Sequence, residues 1–173
     1  SLSSNAVEAM NAGAKIGNFA HNTGEGGLSN YHLKHGGDVI WQIGTGYFGC
    51  RSADGGFDPI QFENRSVLPN VKMIEIKLSQ GAKPGHGGIL PASKNTVEIA
   101  AARNIEPHTI VASPPYHKAF DSPLGLIDFI QQLRDLSGGK PVGFKLCVGN
   151  KSEFISICKA MIEKDIYPDF ITV

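Results

Sequence analysis

Residues 71–91 read VKMIEIKLSQGAKPGHGGILP, an apolar strand pattern running into a glycine-rich loop. Strand side chains alternate between faces, so Ile74, Ile76 and Leu78 share one face and Met73, Glu75 and Lys77 the other. A strand of a parallel sheet is usually covered on both faces. Two charges on one of those faces, toward the C-terminal end, therefore need partners or a task, because a buried unpaired charge is costly. The loop that follows sets Gly81, Gly85, Gly87 and Gly88 around Lys83, and such backbone can bring its N–H groups close to an anion.

The chain on either side alternates helix and strand signals. Asn5 with Glu8 marks a helix start, and Val7, Met10 and Ala14 keep helical spacing. Lys15–His21 reads as a strand ending in NTGEGG at 22–27, Asp38–Gly44 as another strand, and Gly44–Asp58 as a glycine-rich excursion. Beyond the central loop, Asn95 with Glu98 predicts a helix that carries Arg103. Thr109–Ser113 is a short strand feeding SPPYH at 113–117. Ser122-Pro123 caps a helix with Leu124, Ile127, Ile130 and Leu133 on one stripe, and Gly138-Gly139 ends it. Val142–Val148 is a strand, Ser152 caps a helix with Phe154, Cys158 and Met161 inward, and Pro168–Val173 is a last strand.

Repeated strand, loop and helix imply an α/β fold with a parallel sheet and right-handed crossovers. The order fits a (β/α)8 TIM barrel, for which roughly 250 residues are typical. With 173 residues, a helix at the start and a strand at the end, the expectation is about the first half of such a barrel, a single partial domain over residues 1–173.

Composition narrows the function. Net charge is +0 with 16 basic and 16 acidic residues, so neither nucleic acid nor an anionic membrane is expected as partner. No signal peptide or membrane-length apolar run is visible, and a cytoplasmic protein is expected. Cys50, Cys147 and Cys158 show no metal-ligand spacing; Cys147 and Cys158 sit in apolar patterns and are expected to be buried free thiols. His32 and His35 read as surface residues rather than ligands, while His86 and His117 either line a site or pack a loop. Lys145, inside VGFKLCV, is an ammonium in an apolar strand that either pairs with a carboxylate such as Glu75 or serves a cofactor. Glu75 and Lys77 either pair with each other or are functional. Lys77, nearer the strand's C-terminal end where barrel sites form, leans functional.

NTGEGG, IKLSQGAKPGHGG (76–88), SPPYH and GFKLCVG (143–149) occur in this order and together resemble the FMN-binding domain of the glutamate synthase family, particularly its stand-alone members. The resemblance covers essentially the whole chain. It implies an FMN-dependent oxidoreductase in which ammonia and 2-oxoglutarate form 2-iminoglutarate, which reduced FMN converts to L-glutamate. It assigns cofactor binding to Asn22, Thr23, Gln80 and Lys145, the last beside the flavin edge that gains negative charge on reduction. Catalytic positions fall on Lys77 and Glu25, and Lys83 and Arg103 grip the carboxylates of the oxo acid. A further family contact, a glutamine six residues after that lysine, is Ile89 here, which opens the identity of the acid. The family's phosphate-binding glycines and iron–sulfur cysteines would lie after Val173, so the missing half of the barrel or a second copy of the chain is an expected partner, with an electron-donor protein feeding the complete enzyme. Two other readings stay open: an FMN barrel oxidoreductase for a different small acid, and a non-catalytic barrel fragment that pairs with another chain.

Overall fold

The computed structural model describes residues 3–79 and 88–173; Gln80, Lys83 and His86 lie outside the described residues. Helix α1 (Ser4–Gly17) leads into β1 (Ala20–Asn22), a 3-10 turn (Asn30–His32) and β2 (Asp38–Ile43). Then come α2 (Pro59–Ser66), β3 (Val71–Lys77), β4 (Ile89–Leu90), a second 3-10 turn (Ala92–Lys94), α3 (Val97–Arg103) and β5 (Val111–Ala112). The chain continues through α4 (Pro123–Leu136), β6 (Val142–Lys145), α5 (Lys151–Lys164) and β7 (Ile171–Thr172).

Five strands form one sheet in the order β1-β2-β3-β6-β7, every neighbouring pair parallel. The expected parallel sheet is present, a curled half-barrel of α/β type. Register explains the two faces. Glu75 lies beside Gln42 and Gly143, Lys77 beside Lys145, and Lys145 beside Thr172, so these residues share a face. Ile74, Ile76 and Phe144 take the other face, where Trp41, Ile43 and Leu146 join them against Phe62 of α2 and Leu126, Ile127, Ile130 and Leu133 of α4. Trp41 stacks on Phe62 with ring centroids 5.4 Å apart. The helix layer thus covers the apolar face, as alternation predicts, and the charged face is concave.

Curvature is visible in single contacts. In a flat sheet, strands two apart are separated by about 9.6 Å, twice the usual spacing. Yet Asn22 of β1 and Thr172 of β7, each two strands from β3, both reach the Glu75 carboxylate, at 2.7 Å and 2.7 Å. Short side chains span that distance only where the sheet closes toward their face.

Several boundaries differ from the sequence reading. Lys15–Gly17 are the last turn of α1, not strand; Asn18 stops the helix in the left-handed region at φ 52°, and β1 begins at Ala20. Ser3 rather than Asn5 caps α1. Thr96, not Asn95, caps α3, because Asn95 is buried and donates to the carbonyls of Glu106 and Thr109. Asn150 rather than Ser152 caps α5. Helix α4 is capped by Ser122 as expected, with Pro123 in its first turn. The strand expected over Val142–Val148 ends at Lys145, leaving Cys147 exposed rather than buried, and Cys158 is only partly covered. The Thr109–Ser113 strand shortens to β5, which pairs antiparallel with β4 outside the main sheet. Helix α2 has no counterpart in the sequence reading; its signal was Asp58-Pro59, an N-cap acceptor followed by proline at the first helical position.

Candidate functional site

The C-terminal ends of β1, β2, β3, β6 and β7 open into one cleft of about 1200 Å³. Asn22, Thr23, Glu25, Gln42, Glu75, Arg103, Lys145 and Thr172 all line it. Residues from five strands and a helix thus meet at one rim.

Glu75 is the centre of the concave face. It is 3% exposed and accepts from Asn22 Nδ2 at 2.7 Å, Gln42 Nε2 at 2.5 Å and Thr172 Oγ1 at 2.7 Å. Three neutral donors from three other strands satisfy a carboxylate for which the sequence reading offered a lysine partner. Among the described residues neither Lys77 nor Lys145 forms a salt bridge with it.

Lys77 pairs elsewhere. Its side chain is 10% exposed and its Nζ donates to Glu25 Oε2 at 2.6 Å. The NTGEGG turn is built to put Glu25 there. Asn22 Oδ1 accepts Gly24 N–H at 2.8 Å, and Thr23 Oγ1 accepts Gln42 N–H at 3.0 Å, fixing the turn to the ends of β1 and β2. Gly27, at φ 92°, passes so close to neighbouring backbone that an added Cβ would lie 2.9 Å from Ala102 O and 3.1 Å from Phe48 O. Only glycine suits both that φ and that gap.

The same junction sets Arg103. Its guanidinium lies over the Phe48 ring, 4.6 Å from the centroid, a cation–π geometry. Burial pulls the Arg103 pKa down and the Glu25 charge pushes it back up. Asn104, in the left-handed region, donates to Arg51 O and Gln61 Oε1 at 2.9 Å each, which moors the end of α3 to the 51–61 segment. Glu25 therefore stands between two cations, bonded to Lys77 and electrostatically coupled to Arg103.

His117 does not line the cleft. It is buried, with Nε2 donating to Lys77 O at 2.9 Å and Nδ1 accepting from Tyr47 Oη at 3.0 Å, so it ties the SPPYH segment to the end of β3. The carbonyl partner fixes the proton on Nε2, and burial lowers the pKa, so the ring is neutral. Tyr47 is pushed up to about 12 by burial and also accepts Ala119 N–H. His32, expected at the surface, is buried and stacks on His21 with centroids 5.8 Å apart; His35 is exposed as expected. His32 Nδ1 accepts from Ser29 N–H and Oγ–H, and burial lowers its pKa to about 4.

Of the residues singled out from sequence, Asn22, Thr23, Glu25, Arg103 and Lys145 come together at the cleft, with Lys77 bonded to Glu25 just behind it. Gln80 and Lys83 lie outside the described residues, and Ile89 is exposed on β4. Sequence reasoning passed over Gln42 and Thr172. The signal for Gln42 was a lone amide in VIWQIG, a strand otherwise apolar after Asp38. Among the described residues no group of three or more His, Cys, Asp or Glu could hold a metal ion, and no helix is long and apolar enough to cross a membrane.

The chain is similar in sequence to known proteins. Residues 1–173 match the family described as a conserved region in glutamate synthase. The chain is 43% identical over its full length to the glutamate synthase large subunit-like protein YerD of Bacillus subtilis, covering 33% of that protein. It is 33% identical over 83% of its length to the archaeal glutamate synthase [NADPH] of Methanocaldococcus jannaschii, covering 26% of it. It is 42% identical over 62% of its length to the ferredoxin-dependent glutamate synthase of Antithamnion sp., covering 6% of it. The chain therefore spans a third or less of the length of these curated relatives.

Proposed function

The chain belongs to the glutamate synthase family, and we propose that residues 1–173 form part of the FMN-binding barrel domain of a cytoplasmic oxidoreductase that reduces 2-iminoglutarate, from 2-oxoglutarate and ammonia, to L-glutamate. One observation carries the reading: cations, carboxylate and amides from separate strands converge on one cleft at the C-terminal rim of the parallel sheet, where α/β barrels hold their active sites.

The residues suit a flavin. The cleft is wide enough for a mononucleotide, Lys145 brings a cation to its wall, and Gln42 and Thr23 bring neutral polar groups to its floor. FMN, when bound, supplies the hydride. The chain's own groups do the rest. Asn22 and Thr23 set the turn against the cofactor, Gln80 holds its pyrimidine edge, and Lys145 offsets the negative charge that the ring gains on reduction. Arg103, held over the Phe48 ring, offers two N–H donors to one carboxylate of the oxo acid, and Lys83 is assigned to the other. Lys77 holds the Glu25 carboxylate in place through its 2.6 Å bond, so that Glu25 orients the incoming ammonia. In the complete enzyme, electrons would come from a donor protein, with an iron–sulfur cluster as the relay.

The test is an anaerobic assay of the full-length protein with a reduced dye, 2-oxoglutarate and ammonium. Glutamate formation is expected, with Arg103→Ala raising KM for 2-oxoglutarate about tenfold or more, the usual size for a lost charge-assisted contact. Turnover of a monocarboxylic oxo acid in preference to 2-oxoglutarate would replace this reading with that of a different FMN barrel oxidoreductase, the alternative raised by Ile89.

A further inference from the structure

We propose that Glu75 is a positioning residue that turns the Gln42 amide so that its Oε1 faces the cleft, where it accepts the ring N–H of a bound isoalloxazine. The inference rests on the reading above that the cleft takes FMN. A carboxylate oxygen that takes two amide N–H groups acts as an acceptor to both, and Glu75 Oε1 does so. Glu75 therefore forces both neighbouring amides to turn their NH2 groups toward it: Asn22 at 2.7 Å and Gln42 at 2.5 Å. Each amide oxygen must then point away. Asn22 Oδ1 takes Gly24 N–H at 2.8 Å and locks the turn that carries Glu25. Gln42 Oε1 has no donor among the described residues, and Gln42 lines the cleft. The pocket floor thus offers a fixed acceptor, and its direction is decided one residue deeper. The oxidised isoalloxazine has a single ring N–H, at N3, so an acceptor that meets the ring system pairs there. Thr172, donating to the other Glu75 oxygen at 2.7 Å, holds the carboxylate in the plane that serves both amides.

The proposal predicts an unusual order among variants. Glu75→Gln keeps a carbonyl oxygen toward Asn22 and Gln42 while its NH2 donates to the Thr172 hydroxyl, which can reverse its role; the Gln42 direction survives. Glu75→Met removes the acceptor and frees the amide to rotate. The readout is the ratio of dissociation constants for FMN and for FMN methylated at N3, measured by flavin fluorescence on the full-length apoprotein, with circular dichroism as the check on folding. The wild type should prefer FMN by about tenfold, one neutral hydrogen bond plus the cost of an orphaned acceptor. Gln42→Met and Glu75→Met should both bring the ratio below about threefold, whereas Glu75→Gln should keep the wild-type value. A structural role for Glu75 would weaken both flavins alike and leave the ratio unchanged. A wild-type ratio near one, or an undiminished ratio in Gln42→Met or in folded Glu75→Met, overturns the proposal. If Glu75→Met does not fold, Gln42→Met and Glu75→Gln decide it, and loss of the ratio in a folded Glu75→Gln counts against it. Failure of the wild type to bind either flavin defeats the cofactor reading itself.

Discussion

Lys77 is 10% exposed where β3 meets the cleft, and Glu25, from a glycine turn, is the carboxylate that neutralises it. Removing the carboxylate alone leaves a buried ammonium, so Glu25→Leu should cost about 2–3 kcal/mol in thermal or urea unfolding. Lys77→Met should cost less, because it removes the buried charge together with the need for its partner, and the double variant should be more stable than Glu25→Leu. A second residue-scale prediction concerns pH. The folded pKa of His32 is lowered to about 4 by burial, against 6.5 for the free side chain. Its stabilising contribution is complete above pH 6.5 and is lost as pH falls toward 4, because the unfolded chain takes up the proton first. Stability should drop over that window by on the order of 3 kcal/mol, and His32→Gln should flatten the profile in unfolding measured between pH 4 and 7.5. The charged groups of the candidate site were legible because each is a polar group in a distinctive setting: Glu75, Lys77 and Lys145 interrupt apolar strands, and Glu25 sits among glycines. Their partners were not. The choice of Glu25 over Glu75 as the mate of Lys77 depends on how far the sheet curls, a property of no single segment.

At the scale of elements, alternation within β3 and β6 fixed which face meets the helices, since a slip of one residue would exchange Ile74 and Ile76 for Glu75 and Lys77. Strand lengths were harder to read. Hydrophobic runs continue past Lys145 and begin before Ala20, yet the ladder of β6 ends with Leu146 N–H on Thr172 O, and Lys15–Gly17 complete α1 instead of opening β1. Caps erred by one or two residues, because Asn95 and Ser152 compete with the neighbouring polar groups Thr96 and Asn150. One element junction is especially intolerant. A Cβ on Gly143 of β6 would run into the Phe170 carbonyl oxygen, a backbone atom that cannot swing aside. Gly143→Ala should destabilise by about 1–3 kcal/mol through displacement of β7, seen as a lower unfolding midpoint and faster amide exchange at Ile171 and Thr172.

For the whole molecule, the order of helices and strands was enough to read a parallel α/β sheet, and the motif series to read the family; β5 was read, over the longer span Thr109–Ser113, but β4 and its antiparallel pairing with β5 escaped because a two-residue strand carries no periodicity. The described sheet has two edges, β1 and β7, and Ile171 and Val173 are exposed beside the second. The isolated 173-residue chain should therefore self-associate, with gel filtration and light scattering giving a mass above 18.5 kDa. The central claim is that the concave rim of this sheet holds a flavin mononucleotide. The most direct measurement is a titration of the full-length apoprotein with FMN, followed by visible absorption, for the wild type and for Lys145→Met. The account predicts one FMN per chain with a perturbed flavin spectrum, and affinity weakened about tenfold or more for the reduced flavin when the lysine charge is lost. A wild-type protein that leaves the free-FMN spectrum unchanged, or a Lys145→Met variant that binds oxidised and reduced FMN as the wild type does, would contradict it.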